Sequence, residues 1–159
     1  MKHRPRVLVS ACLLGAACRY DGKSQALTEL DALLKRCEPI PVCPEQLGGL
    51  PTPRTPSERL GGRVISREGV DVTDAFTRGA TETLQLANRL GVKLALLKAR
   101  SPSCGSREIY DGTFTGRTIP GQGATAEALT AAGIAVYDES RIDAFFEALK
   151  GMDYDSIQQ

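Results

Sequence analysis

The sequence contains no tryptophan, aromatic residues make up only 5%, and there is one histidine, His3. So few aromatics leave no stacking platform of the kind used by single-stranded nucleic-acid binders. One histidine close to the N-terminus rules out a histidine-rich metal site, and His3 is expected to be solvated and idle. A surplus of one charge sign is also missing: 20 Lys and Arg against 19 Asp and Glu give a net charge of +1. The basic footprint of a general nucleic-acid binder is therefore absent. No apolar run reaches the length needed to cross a bilayer. The basic start, Met1 to Arg6, leads only into Val7 to Val9 before small and polar residues return, too short a stretch for a signal-peptide core. A cytoplasmic protein acting on a small molecule is expected, with neither membrane nor nucleic acid as partner.

A chain of 159 residues with 42% hydrophobic and 25% charged residues is sized and balanced for one globular domain, spanning 1–159. Short apolar runs at 7–10, 39–42, 93–97 and 134–137 have little polar alternation, as strands covered on both faces do. Helical spacing appears at 26–36, where Leu27, Leu30, Leu33 and Leu34 share a face, and from Thr73 to the cap Gly91. Further helices are expected at 125–132 and 141–149, and the polar segment 151–159 is expected to be a loose tail. Strands alternating with helices predict an α/β fold: a Rossmann-like or flavodoxin-like parallel sheet of about four strands with helices on both faces. Two Gly/Pro-rich loop inserts interrupt it. One covers 48–62 and leads into a predicted hairpin at 64–72 around Arg67-Glu68-Gly69; the other covers 111–123, with a short hairpin predicted at 113–118. Loops of this length in a compact domain usually work as lids or binding elements.

Against these absences stand five cysteines. In a reducing compartment thiols are kept for metals or catalysis rather than structural disulfides. Cys12 follows the first predicted strand, Cys43 follows the second, and Cys104 follows the third within Ser101-Pro102-Ser103-Cys104-Gly105. The carboxyl ends of parallel strands form the ligand crevice of such sheets, so these thiols are expected to converge on one edge. Cys18 and Cys37 are expected to be small buried side chains outside this group. No CxxC pair or compact cysteine run is present, so ribbon-type zinc and ferredoxin spacings are both absent. Three thiolates leave one coordination position open, and spacing alone accommodates either a zinc ion or a 4Fe-4S cluster.

At these positions the chain resembles the thiouracil desulfidase family. The matching segments are Val9-Ser10-Ala11-Cys12-Leu13-Leu14-Gly15, Arg19-Tyr20-Asp21-Gly22, Cys43-Pro44-Glu45, Gly48-Gly49-Leu50-Pro51-Thr52-Pro53-Arg54, Asp71-Val72-Thr73, and Leu97-Lys98 through Ser101 to Gly105. The resemblance implies a 4Fe-4S cluster held by Cys12, Cys43 and Cys104 with one iron open. It implies an acid/base role for Glu45, a helper hydroxyl in Ser101, and a small thiolated pyrimidine of the 2-thiouracil type as substrate. The implied reaction is non-redox replacement of C=S by C=O with release of sulfide. The chemistry is coherent, since a soft thiocarbonyl suits iron acting as a Lewis acid, and a carboxylate beside it can activate water. Arg54, Arg59 and Lys98 are candidate substrate contacts. Rival readings are a non-catalytic iron–sulfur sensor or sulfur carrier, a zinc-binding structural module, and a desulfidase for thiolated nucleosides or tRNA.

Overall fold

The computed structural model describes residues 4–157, with side-chain surroundings through Met152. His3 and residues 158–159 of the expected tail lie outside the described residues. The chain runs β1 (Arg6–Ser10), α1 (Leu30–Arg36), β2 (Glu38–Val42), α2 (Pro44–Leu47), β3 (Ser57–Leu60), β4 (Arg63–Ser66), α3 (Thr73–Leu90), β5 (Leu94–Leu97), β6 (Glu108–Tyr110), β7 (Thr118–Pro120), α4 (Ala124–Ala131), β8 (Ala135–Asp138) and α5 (Ile142–Ile157). Strands β2-β1-β5-β8 form a parallel sheet in that order. In chain order this is 2-1-3-4, the flavodoxin-like arrangement. The chain moves one way from β1 to β2 and then crosses back to β5 on the other side of β1. The switch in direction opens a crevice at the carboxyl ends of β1 and β5.

Side-chain alternation along the strands divides the core into two layers. Val7 and Val9 of β1, with Leu94 and Leu96 of β5, pack against Leu33 of α1 and Phe145 and Leu149 of α5. Leu8, Ala95 and Leu97 face the opposite way, onto Ala87 of α3 and Ala126 and Leu129 of α4. Both faces of β1 and β5 are thus covered, which is why their sequences read as unbroken apolar runs. Leu8 is fully buried, and truncation there to Ala would cost about 2–5 kcal/mol. Among the described residues no helix is long and apolar enough to cross a membrane.

Several elements differ from the sequence expectation. The first helix begins at Leu30 rather than at 26, and the stretch before it is tied to the segment after β1, the Gln25 and Leu27 N–H groups donating to the carbonyls of Cys12 and Leu13. The last helix continues to Ile157, past the expected end at Leu149. The segment 48–62 is not all loop: it contains β3, which pairs with β4 across Gly61-Gly62. The turn expected at Arg67-Glu68-Gly69 is present but smaller, returning Asp71 to a single bridge with Ile65. The second hairpin is wider than expected, pairing Glu108 with Pro120 and Tyr110 with Thr118, so that 111–117 is its connecting loop.

Candidate active site

A 3-10 turn, Ala11–Leu14, continues directly from β1 and holds Cys12 at the sheet edge. Cys43 follows β2 in extended conformation and precedes α2, whose first residue, Pro44, has the preset φ that suits a helix start. Helix α2 seats on α3 through two glycines. A Cβ on Gly48 would lie 2.0 Å from the Ala75 carbonyl oxygen, and one on Gly79 would lie 2.0 Å from that of Pro44. Only glycine permits this approach, which fixes the height of Cys43 and Glu45 above the sheet. Cys104 sits in a loop tied on several sides. Ser101 Oγ accepts from the backbone N–H groups of Ser103 and Cys104, each at 3.0 Å, and the Ser103 and Thr125 hydroxyls are 2.7 Å apart.

These connections enclose a cavity of about 490 Å³ at the carboxyl edge of the sheet. Cys12, Cys43, Cys104, Glu45 and Ser101 all line it. Cys18, expected apart from them, lines it too; its thiol lies beside Cys43, and its carbonyl accepts from Cys43 Sγ at 3.8 Å. Cys37 does not: it is fully buried in the core and donates to the Leu33 carbonyl at 3.4 Å. Burial pushes the Cys12 thiol up to about 11, with the Lys98 charge opposing. Burial likewise pushes Cys18 up to about 12, reinforced by Cys43 and then Cys12. Cys104 is also pushed up to about 12 by burial, opposed by the Ser10 hydroxyl beside it and reinforced by Glu45, Cys12 and Cys43. Buried thiols of this kind become good ligands only when a positively charged partner stabilises the thiolate.

Glu45 is gripped by Arg54. Arg54 Nε donates to Glu45 Oε2 at 2.8 Å, Nη2 makes a second bond to the same oxygen, and Nη2 also donates to the Cys18 carbonyl at 3.0 Å. Nη1 donates to the Pro51 carbonyl and to Thr52 Oγ1. With its side chain 7% exposed, Arg54 is a structural clamp rather than a solvated loop cation. Lys98 also lines the cavity, 2.7 Å from Glu139 Oε2, while Glu139 Oε1 accepts from the Ala99 N–H at 2.6 Å. Arg59 lies elsewhere, bound to the Gln122 carbonyl and to Glu127.

Three contributors were not assigned from sequence. Ser10 is buried and accepts from the Lys98 N–H at 2.8 Å, stitching the ends of β1 and β5 together beside Cys104. Tyr110 and Phe114, from the second insert, form part of the cavity wall. Among the described residues no three His, Cys, Asp or Glu side chains are gathered closely enough to share one metal ion.

Comparison with known proteins agrees with this architecture. The 2-thiouracil desulfurase family model matches residues 7–141. The uncharacterized protein YbbK of Bacillus subtilis (strain 168) is 40% identical over 147 residues, covering 86% of this chain and 97% of its own. The solved structure of a 4Fe-4S-dependent thiouracil desulfidase, TudS, is 45% identical with a TM-score of 0.88, covering 92% of this chain and 99% of that one.

Proposed function

The chain belongs to the 2-thiouracil desulfurase family, and from that premise we propose that it is an enzyme converting a 2-thiouracil-type thiolated pyrimidine and water to the oxo pyrimidine and sulfide. The observation that carries this reading is the meeting of Cys12, Cys43, Cys104, Glu45 and Ser101 on one cavity. Its volume of about 490 Å³ suits a small heterocycle. We assign Cys12, Cys43 and Cys104 as ligands of a 4Fe-4S cluster. The donor set fits: three soft sulfurs from separate loops that line one cavity suit iron. Held by these three residues, such a cluster would have one iron without a protein ligand and would supply a soft Lewis acid for the thiocarbonyl sulfur.

The protein groups do the rest. Glu45, oriented by the fork of Arg54, takes a proton from the attacking water and returns it to the departing sulfur. Ser101 Oγ already accepts two N–H bonds, so its remaining capacity is to donate its proton into the cavity, toward oxygen being added or a ring acceptor. Carbon keeps its oxidation level when C=S becomes C=O, so no electron donor is consumed. The net reaction is a hydrolysis.

The test is anaerobic reconstitution with iron and sulfide analysis, followed by incubation with 2-thiouracil in the absence of reductant. A brown protein with about four irons per chain that yields uracil and sulfide is the expected result. A colourless protein with one zinc, or turnover that consumes a stoichiometric reductant, would overturn the reading.

A further inference from the structure

We propose that Phe114 is the stacking wall that holds the flat ring of the substrate, making the cavity selective for planar heteroaromatic thiocarbonyls over non-aromatic ones. This rests on the desulfidase reading above and deepens it. Among the described residues, the non-glycine positions with positive φ are Arg100 at 66° and Phe114 at 58°, and both line the cavity. A bulky aromatic is out of place in the left-handed region, and such strain persists only where surrounding contacts impose it.

The imposing contacts are visible. Glu58, a buried carboxylate on β3, extends Oε1 to accept from the backbone N–H of Gly112 at 2.9 Å and from that of Phe114 at 3.1 Å. One buried charge thereby pins the loop on both sides of Thr113. The side chain is fixed as well: the Arg67 guanidinium stands 5.6 Å from the centre of the Phe114 ring in a cation–π contact, and the ring forms part of the cavity wall. Two separate inserts therefore cooperate in presenting one aromatic ring, β3 and the turn after β4 from the first, and the loop between β6 and β7 from the second. Core packing does not explain the arrangement, since Phe114 is only half-buried and belongs to neither core layer. A ring–base contact offers affinity with little demand on ring substituents, suiting a cavity that must accept a pyrimidine while the sulfur faces the thiols.

The test is anaerobic calorimetry of 2-thiouracil and of thiourea, a thiocarbonyl without an aromatic ring, against cluster-loaded wild type, Phe114→Gly, Phe114→Ala and Phe114→Tyr. Thermal melting and uracil production are measured alongside. The Gly and Ala variants should bind 2-thiouracil about ten-fold more weakly, the size of one stacking contact. Tyr should restore affinity, and thiourea binding should be the same throughout. Phe114→Gly should melt at or above wild type, because glycine relieves the left-handed strain. Equal 2-thiouracil affinity across the series, or a parallel fall in thiourea affinity, would overturn the proposal. Wild type that binds 2-thiouracil with the expected Phe114 dependence but forms no uracil would sink the desulfidase reading and leave the stacking wall standing. Wild type that binds neither compound would overturn both.

Discussion

Arg54 and Glu45, nine positions apart, are joined by two hydrogen bonds from Nε and Nη2 to the single oxygen Oε2. The clamp leaves Oε1 of Glu45 outside this pair of bonds, on a residue that lines the cavity. Because the same guanidinium also holds the Cys18, Pro51 and Thr52 oxygens, the carboxylate is tied both to the start of the first insert and to the loop that carries Cys18.

Glu45→Gln keeps the size of the side chain but removes its capacity to take a proton. The substituted protein should assemble its cluster normally and lose about 10²–10⁴-fold in turnover. Arg54→Gln should also slow turnover, and the double variant should be little worse than Glu45→Gln alone, since both changes act through one group. Steady-state rates of cluster-replete protein decide this. Additive losses would show that Arg54 acts independently of Glu45.

Replacing Cys12, Cys43 or Cys104 by Ser should abolish the brown absorption after anaerobic reconstitution. Cys37→Ser should retain it, because that thiol lies in the core away from the cavity. Cys18→Ser should retain it too, although this thiol shares the cavity wall. Iron content near four in any of the first three variants would remove that residue from the ligand set.

Gly79→Ala tests the seat of α2. The added methyl group would collide with the Pro44 carbonyl, and forcing the helices apart should cost roughly 1–3 kcal/mol in denaturant unfolding. Because Pro44 lies between Cys43 and Glu45, cluster occupancy should fall as well. Unchanged stability would mean that the contact between α2 and α3 is softer than the geometry implies.

Asp71 Oδ1 accepts from the Thr73 N–H at 2.9 Å and from the Thr73 hydroxyl, and these bonds, with Arg63, lower its carboxyl from 3.8 to about 2. A depressed carboxyl contributes stability above its unfolded value, and the contribution is lost as pH falls through the folded value. Wild type should therefore melt above Asp71→Asn at neutral pH, with the gap closing between about pH 4 and about pH 2. A gap that widened on acidification would reverse the assignment.

The parallel sheet and the strand-end cysteines were legible because continuous apolar runs and the residues just after them need only local sequence. Helix α2 was not: four residues carry no periodicity, and its existence depends on Gly79 sitting opposite. Strand β3 was hidden because its buried residue is Glu58, a charge satisfied by a loop more than fifty positions away. Arg54 was a candidate substrate contact, and its part as a clamp on Glu45 was hidden for the same reason, since its partners are assembled only by the fold. Cys18 is buried, as expected, but nothing local reveals that the loop after the 3-10 turn also brings it to the cavity wall. The Gly-rich composition of 111–123 did mark the second insert, but no spacing rule points to Phe114.

Since every strand of the main sheet runs in the same direction, all their amino ends share the edge opposite the cavity. An affinity handle ahead of Arg6, or a peptide spliced in at Gly133, where a Cβ would meet no neighbour, is separated from the thiols by the length of a strand, about 13–17 Å for four or five residues. The molecule can thus be tethered to a surface or fused to another protein by that edge with the chemical end facing outward.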